Sequence, residues 1–371
     1  MKIPPFALER FFAAHEFTAP YLLCASDCEA LSVEALLALE PGADAAFCDL
    51  WLGYTESPGH PALRAEIAGL YDSVEADGVL VHSGAEEAIF GFMNAALEPG
   101  GHVIVQTPCY QSLTELPRAL GFALSEWPAR EDFGWALSLD ELEGLIRPDT
   151  RALVVNLPHN PTGFLAPHAV FERIVEICRA HGLLLFCDEV YRLLEFDPAD
   201  RLPAACDAYE NGVSLGVMSK SFGLAGLRIG WIATRNSAVY DAMAGFKDYT
   251  TICNSAPSEF LATVALRQRD AVVGRNLEII EGNLALLDGF FARQRDTLTW
   301  QRPRAGSIAL PRFADRLDGA ALCRAAVDDA GVLLAPGSTF GASDRHFRIG
   351  FGRADMAEAL ARLEEYLDSK A

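Results

Sequence analysis

The sequence predicts an α/β protein that has a mostly parallel sheet and a smaller α+β lobe. Apolar runs rich in β-branched residues alternate with amphipathic helical patterns from about residue 78 to residue 235. The chain then changes to a long helical stretch, short strands and a final helix. At 371 residues it is long enough for two domains of ordinary size. Alternation of this kind is typical of parallel sheets covered by helices on both faces.

Seven strands are predicted in the first part of this pattern, and each is a short apolar run bounded by turn-forming residues. They cover Val79–His82, His102–Gln106, Phe122–Trp127, Arg151–Asn156, Leu183–Cys187, Val213–Met218 and Leu227–Thr234. Amphipathic segments such as Glu86–Leu97 and His168–His181 predict helices between the strands. Ligands of such sheets bind beyond the carboxyl ends of the strands, so we expect the chemistry there.

The last third of the chain predicts the smaller lobe. Its elements are a long helix, two short strands and a final helix, at Ser258–Arg293, Thr297–Gln301, Ser307–Pro311 and Ala354–Ser369. We therefore expect residues 46–257 to form a large domain and residues 258–371 a small one. Residues 1–45 are expected to pack on the small domain. A ligand would then lie in the cleft between the two lobes.

Composition and charge limit the partners of this chain. It has 51 acidic and 30 basic residues, which give a net charge of −21. Such a surface repels nucleic acid and anionic membranes, so we expect neither as a partner. The N-terminus lacks the apolar region of a signal peptide, and the nine cysteines show no metal-ligating spacing. We expect a cytoplasmic protein with free thiols and no metal.

A lysine stands directly after one predicted strand. Lys220 belongs to the run Ser-Lys-Ser-Phe-Gly, and Arg228 follows in the same glycine-rich stretch. Attack on an aldehyde needs a neutral amine, which burial and nearby positive charge favour. Ser219 and Arg228 offer a hydroxyl and a planar cation suited to a phosphate dianion. An ordinary surface lysine is the alternative when the motif is taken alone.

A carboxylate and two hydrogen-bonding side chains follow neighbouring strands. Asp188 would be costly to bury unless it met a cation, and a protonated pyridine nitrogen is such a cation. Asn160 precedes a proline, which keeps it out of a helix and lets its amide project into a cleft. Asn160 and Tyr191 are both suited to hydrogen-bond a phenolate oxygen. A structural aspartate and a plain Asn-Pro-Thr-Gly turn are the alternatives.

Three further features complete the predicted site. Gly84, Ala85 and Glu86 lie at a strand-to-helix junction, where backbone N–H groups can bind a phosphate. Tyr110 follows the next strand and is suited to stack on a planar ring. Arg348 lies in an apolar strand pattern and needs an anion, which a substrate α-carboxylate would supply bidentately. A core tyrosine and a structural salt bridge are the alternatives.

In their order along the chain, these motifs resemble those of the class I/II aminotransferases of pyridoxal 5′-phosphate (PLP) fold type I. The matching motifs are Asn-Pro-Thr-Gly, Asp-x-x-Tyr, Ser-Lys-x-x-Gly-x-x-Gly-x-Arg and a late Phe-Arg, within a resemblance from about Tyr54 to Gly352. The resemblance implies an enzyme that moves an amino group between an L-amino acid and a 2-keto acid. It also implies a homodimer, in which Tyr54 reaches a phosphate across the subunit interface.

The resemblance assigns a role to each site residue. Lys220 resembles the lysine that forms a Schiff base with PLP, and Arg348 the clamp on the substrate carboxylate. The other residues resemble cofactor ligands: Asp188 at the pyridine nitrogen, Asn160 and Tyr191 at the phenolate oxygen, Tyr110 as the stacking ring, and Gly84, Ala85, Glu86, Ser219 and Arg228 at the phosphate. Asn160 also borders the expected substrate.

One early segment departs from the family pattern. Where members commonly carry Gly-x-Pro-Asp, this chain has Leu-Cys-Ala-Ser-Asp-Cys-Glu at residues 23–29. Ser26 is therefore a candidate substrate-binding residue. We hypothesise that Asp27 or Glu29 attracts a basic or polar substrate side chain, the alternative being that both are exposed loop carboxylates.

Three other functions remain open from the sequence. Branches that include capreomycidine synthase and carbon–sulfur lyases carry similar motifs, so elimination or cyclisation of a polar or basic amino acid is the main alternative. A PLP-sensing transcription regulator is disfavoured by the acidic charge and by the few residues before Tyr54. A catalytically inactive binding protein is disfavoured because Lys220 and its partners are all present.

Overall fold

The computed structural model describes residues 1–370 of the chain. Its α-helices, in chain order, are α1 (Ala7–His15), α2 (Val33–Leu37), α3 (Ala43–Cys48), α4 (Pro61–Ala68), α5 (Ala85–Gly91), α6 (Ser112–Leu120), α7 (Leu139–Leu145), α8 (His168–His181), α9 (Ala205–Ala208), α10 (Ser237–Lys247), α11 (Ala256–Arg267), α12 (Arg269–Arg293), α13 (Gly319–Ala330) and α14 (Met356–Asp368). Its strands are β1 (Val79–His82), β2 (His102–Thr107), β3 (Ala123–Pro128), β4 (Thr150–Asn156), β5 (Leu184–Asp188), β6 (Gly212–Val217), β7 (Gly230–Thr234), β8 (Leu298–Thr299), β9 (Ile308–Ala309), β10 (Arg312–Phe313), β11 (Ala335–Pro336) and β12 (Phe347–Gly350).

Seven strands form the central sheet, in the order β1-β7-β6-β5-β4-β2-β3. The pairs from β6 to β3 are parallel, whereas β7 is antiparallel to both of its neighbours. Six strands therefore run in one direction and β7 runs in the other. The predicted seven-stranded, mostly parallel sheet is confirmed. Strands β5 and β6 are buried along almost their whole length, which explains their continuous apolar sequences.

Two predicted elements differ from the observed ones for local reasons. The predicted strand Leu227–Thr234 begins only at Gly230, because Ala225–Leu227 form a 3₁₀ turn and Arg228 then adopts a left-handed conformation with φ 53°. The predicted long helix Ser258–Arg293 is divided into α11 and α12 at Gln268, where φ is −101° and ψ is 23°. No glycine or proline marks that break, so the helical pattern did not reveal it.

The C-terminal part of the chain carries a three-stranded sheet in the order β11-β12-β9 and a two-stranded sheet of β8 and β10. The N-terminal segment is attached to it by backbone hydrogen bonds. Leu333 N donates to Tyr21 O at 2.9 Å, and Glu29 N donates to Gly352 O at 2.8 Å. These bonds bring residues 21–29 alongside the ends of the central sheet. No helix within residues 1–370 combines the length and the apolar character needed to cross a bilayer.

Candidate active site

The topology of the central sheet brings the predicted site residues to one edge. Strands β1, β4, β5 and β6 end at this edge, and β7 begins there because it runs the other way. Asp188 is the last residue of β5 and pairs in register with Asn156 at the end of β4. Lys220 lies three residues beyond β6, and Arg228 lies two residues before β7. Residues distant in sequence therefore meet because neighbouring strands end together.

A cavity of about 380 Å³ lies at this edge. Eleven predicted residues line it: Ser26, Ala85, Glu86, Tyr110, Asn160, Asp188, Tyr191, Ser219, Lys220, Arg228 and Arg348. Gly84 adjoins the cavity through the Arg228 guanidinium. Tyr54 does not line this cavity within the chain; its side chain is 86% exposed at a second cavity. The predicted contact of Tyr54 with a phosphate therefore stays a prediction.

Lys220 projects into the cavity, and its Nζ donates a hydrogen bond to Ser26 Oγ at 2.7 Å. Burial lowers the pKa of Lys220, although the negative charge of Asp27 opposes that shift. The Arg348 guanidinium lowers the pKa further. A lowered pKa increases the share of neutral amine at physiological pH, and the neutral amine is the form that attacks a carbonyl carbon.

Asp188 is buried at the floor of the site, and its Oδ1 accepts a hydrogen bond from Val190 N at 3.2 Å. Burial raises the pKa of Asp188 to about 7, even though the Val190 N–H and the Lys220 charge both favour the ionised form. The chain alone therefore gives this carboxyl group too little positive charge to keep it fully ionised. A cationic ligand group at Asp188 would supply that charge.

Tyr191 and Asn160 also line the cavity. The Tyr191 hydroxyl is buried and has no well-formed hydrogen bond within residues 1–370, although the Ser26 side chain lies nearby. Asn160 N donates to Asn156 Oδ1 at 2.5 Å, and Asn156 Nδ2 donates to Asp188 O at 2.8 Å. Asn156 thus joins the ends of two strands and fixes both functional residues. Sequence reasoning placed Asn156 in a strand and gave it no role.

The junction between β1 and α5 forms a narrow turn against Arg228. Gly84 has φ 89°, and a Cβ atom there would lie 2.6 Å from Arg228 Nη2. A larger residue here would displace the guanidinium and would also be strained by the positive φ, so glycine suits this turn. The backbone N–H groups of a first helical turn have no intrahelical acceptor and are suited to bind an anion. Burial also raises the pKa of Glu86, in this turn, to about 7.

Arg348 is almost fully buried. Within residues 1–370, its guanidinium donates hydrogen bonds only to neutral oxygens. Nε and Nη2 donate to Cys24 O at 3.1 and 2.8 Å, and Nη1 donates to Asn160 Oδ1 at 3.3 Å. The Phe340 ring lies 4.7 Å from its central carbon. These contacts fix the orientation of the positive charge without neutralising it. They favour the carboxylate clamp over the structural salt bridge.

Close backbone contacts position the segment at residues 23–29. Gly350 N donates to Leu23 O at 2.6 Å, and a Cβ atom at Gly350 would lie 1.7 Å from Ala25 O. The crossing therefore requires glycine, and it directs Ser26 toward Lys220. Sequence patterns alone do not reveal such a crossing.

The two acidic residues of this segment differ in their position relative to the cavity. Asp27 lines the cavity, but its carboxylate accepts two hydrogen bonds from Arg353 Nη2, at 3.1 and 3.0 Å. Glu29 Oε2 accepts a hydrogen bond from Ala354 N and is not among the residues that line the cavity. Glu9 and Glu16, from α1 and the residue that follows it, do line the cavity. Sequence reasoning missed both, because α1 has no capping side chain and was not predicted.

The donor set of the cavity fits PLP, the cofactor that the sequence resemblance implies. The aldehyde would meet the amine of Lys220, and the protonated ring nitrogen would meet the buried carboxyl group of Asp188. The phenolate oxygen would find the buried hydroxyl of Tyr191, which makes no well-formed hydrogen bond within residues 1–370. The phosphate would find the turn at Gly84 and the guanidinium of Arg228. Each polar feature of this cofactor therefore has a matching group.

Comparisons with known proteins agree with this fit. The family described as Aminotransferase class I and II matches residues 21–363. The chain is 31% identical over 318 residues to a capreomycidine synthase of Streptomyces vinaceus, covering 85% of this chain and 81% of that protein. It is also 31% identical over 333 residues to an arginine–pyruvate transaminase of Pseudomonas aeruginosa, covering 84% and 81%.

Solved structures agree over the whole chain. A PLP-dependent aminotransferase from Streptococcus suis superposes with a TM-score of 0.94 at 31% identity, covering 100% of this chain and 99% of that one. A PLP-dependent cyclase superposes with a TM-score of 0.90 at 30% identity, with the same coverage. The chain therefore belongs to the class I and II aminotransferases, and it is a PLP-dependent enzyme of fold type I.

Proposed function

We propose that the chain transfers the amino group of an L-amino acid to a 2-keto acid, with Lys220 as the residue that binds the cofactor covalently. One observation carries the proposal most directly. Lys220 and Asp188 line one cavity, and burial shifts their pKa values toward each other, lowering that of the lysine and raising that of the aspartate to about 7. Ionisable groups in one cavity whose pKa values are strongly shifted by burial are typical of a functional site.

The roles of the side chains follow from this geometry. When bound, PLP supplies an aldehyde for the substrate amine and a ring that takes up the electrons released at Cα. Arg348 would hold the substrate α-carboxylate, since its charge is oriented but not neutralised. Lys220 Nζ would remove the Cα proton and return it, with Ser26 Oγ in reach to hold the amine in place. Asp188 would keep the ring nitrogen protonated.

A test of the acceptor distinguishes transamination from its main alternative. With an L-amino acid alone, the purified holoenzyme is expected to complete a single turnover, because the amino group stays on the enzyme until a keto acid removes it. Adding a 2-keto acid should then start continuous turnover. The measurement is keto acid and amino acid product by mass spectrometry. Many turnovers without an acceptor would contradict transamination.

Those same turnovers without an acceptor would support elimination or cyclisation instead. The resemblance to a capreomycidine synthase and to a PLP-dependent cyclase keeps that alternative specific. In such a reaction a leaving group departs from the substrate, so no amino group remains on the enzyme. The mass of the product distinguishes the two cases, since only transamination gives a keto acid that keeps every side-chain substituent of the substrate.

The cavity favours a substrate with a cationic side chain. Glu9, Glu16 and Asp27 all line it. Burial raises the pKa of Glu16, and the negative charges of Asp27 and Glu9 raise it further. A positive side chain would relieve this repulsion. One relative is by name an arginine–pyruvate transaminase, which supports the same choice. Because Asp27 is paired with Arg353, we assign the recognition chiefly to Glu16 rather than to Asp27 or Glu29.

Glu16→Gln is expected to lower the preference for arginine over norleucine, a neutral amino acid of similar length. The expected loss is roughly fivefold in the ratio of kcat/KM values, as for a partly exposed ion pair of about 1 kcal/mol. Steady-state kinetics with both substrates measures it. Glu34→Gln, at an exposed position in α2, is the control. An unchanged ratio in the Glu16 variant would refute this assignment.

A homodimer in the cytoplasm completes the proposal. Large apolar side chains are exposed on two loops that hydrogen-bond to each other: Trp51 is 79% exposed, Tyr54 is 86% exposed and Tyr249 is 91% exposed. Exposed aromatic residues grouped in this way are typical of a subunit interface. This face supports the expected contact of Tyr54 with the phosphate of a partner subunit. The unpaired state of all nine cysteines supports the cytoplasmic location.

A further inference from the structure

One carboxylate outside the cavity connects the phosphate turn to the exposed aromatic face. Glu87 Oε2 accepts a hydrogen bond from Ser83 N at 2.5 Å, directly before Gly84. Glu87 Oε1 accepts hydrogen bonds from Thr250 Oγ1 at 2.6 Å and from Thr251 Oγ1 at 2.8 Å. The Glu87 side chain is only 12% exposed. A buried carboxylate with three donors holds its partners in defined positions, because each charge-assisted bond is strong and directional.

Both threonines belong to the loop at residues 248–255. This loop is hydrogen-bonded to the loop at residues 50–57, and we call the two the face loops. Lys247 Nζ donates to Asn254 Oδ1 at 2.8 Å and to Ser57 O, which binds the two loops together. Thr55 Oγ1 adds a further bond to Asn254 O at 3.1 Å. The face loops therefore form one connected unit.

This unit also carries the exposed aromatic side chains and a strained residue. Trp51 and Tyr54 belong to the first face loop, and Tyr249 belongs to the second. Ile252 has φ 64°, an unfavourable conformation for a β-branched residue, so the surrounding contacts must hold it. The two threonine bonds to Glu87 are neighbouring contacts of that kind. A change at Glu87 would therefore reach the face that a partner subunit covers.

We propose that Glu87 is a positioning residue that couples cofactor binding to the association of two copies of this chain. The proposal rests on the function proposed above. A phosphate on the turn at Gly84 would fix Ser83 N, and so the Glu87 carboxylate, in one position. The fixed carboxylate then orders Thr250, Thr251 and the face loops for the partner. By thermodynamic linkage, a partner subunit must tighten cofactor binding by the same factor.

The test compares the dimer dissociation constant with and without PLP, measured by sedimentation velocity over a range of concentrations. Tyr54→Phe serves as the background, because it removes the direct route by which a partner hydroxyl would touch the phosphate. In this background PLP is expected to tighten the dimer on the order of tenfold. Adding Thr250→Val and Thr251→Val should reduce that factor to within about twofold, since these changes remove both threonine bonds to Glu87. Thr250→Val also removes the hydrogen bond from Thr250 Oγ1 to Lys247 O at 3.1 Å, whereas Thr251→Val removes, among the described residues, a bond to Glu87 alone.

Both threonines are exposed, so the variant is expected to fold. Thr251→Val alone, which keeps one bond, should give an intermediate factor and serves if the full variant is unstable. Thr299→Val, at an exposed position in β8, is the matched control and should change nothing. The coupling is overturned if PLP tightens the dimer of the threonine variants as much as it tightens the Tyr54→Phe dimer. It is also overturned if PLP does not tighten the Tyr54→Phe dimer at all. Failure of the wild-type protein to bind PLP, seen by visible absorbance, overturns the proposed function as well.

Discussion

Replacing Lys220 by alanine is expected to reduce kcat at least a thousandfold. Loss of a positioned proton-transfer group usually costs a factor of about 10²–10⁴. The variant also loses the covalent attachment of the cofactor. The Nζ atom is the amine in the cavity, and burial has already lowered its pKa. The variant should still fold, because it removes a buried amine whose one recorded hydrogen bond is to Ser26 Oγ. Steady-state kinetics and a melting curve measure the two effects.

Two further measurements separate a catalytic role of Lys220 from a structural one. A small amine such as methylamine is expected to restore part of the rate, because it can enter the space left by the side chain. Borohydride treatment of the wild-type holoenzyme should attach the cofactor to the peptide that contains Lys220. Lys370→Ala, at an exposed helix end, is the control. Wild-type turnover in the Lys220 variant, or cofactor on another lysine, would contradict the assignment.

The sequence identified the strands and the residues at their ends because both have strong local signals. Buried parallel strands have continuous apolar sequences, and six of the seven strands of the central sheet begin and end within a residue of their predicted bounds. Asp188 and Lys220 could be found because each is a charged residue within two positions of the end of such a predicted run. The parallel topology then places those positions on one edge without further information.

Other parts of the site depend on long-range contacts that leave no local pattern. Ser26 reaches Lys220 only because Gly350 lets the backbone of Ala25 cross closely. Asp27 is partly neutralised by Arg353, which lies 326 positions further along the chain. Glu9 and Glu16 line the cavity because the Gln111 side chain holds α1 over it, through Oε1 accepting from Ala7 N at 2.7 Å. The sequence hypothesis therefore named Asp27 and Glu29 and could not include the carboxylates of Glu9 and Glu16.

Replacing Asp188 by asparagine is expected to have opposite effects on the apoprotein and on the holoenzyme. Burial raises the pKa of this carboxyl group from 3.8 to about 7 in the folded apoprotein. Since the folded value is the higher one, its contribution to stability is complete below about pH 4 and is lost as the pH rises through 7. Above pH 7 the fold bears the cost of a buried anion, on the order of a few kcal/mol.

The neutral asparagine avoids that cost, so the apoprotein variant should melt at a higher temperature than the wild type at pH 8 and at a similar temperature at pH 4. The holoenzyme should behave in the opposite way, because the bound ring nitrogen loses its counter-ion. Removing one partner of a buried charge pair costs about 2–5 kcal/mol, which corresponds to a loss of roughly 30-fold or more in PLP affinity. Turnover should fall at least as much.

A neighbouring carboxyl group provides the matched control. Glu189 is also buried, and burial raises its pKa too, but its Oε1 accepts hydrogen bonds from Ala205 N and Ser214 Oγ, each at 2.7 Å. Glu189→Gln should therefore destabilise the apoprotein through weaker bonds while leaving PLP affinity near that of the wild type. Wild-type affinity in Asp188→Asn would refute the assigned pairing. A buried carboxyl group that destabilises the apoprotein and is stabilised by its ligand is expected where the residue has been selected for binding rather than for folding.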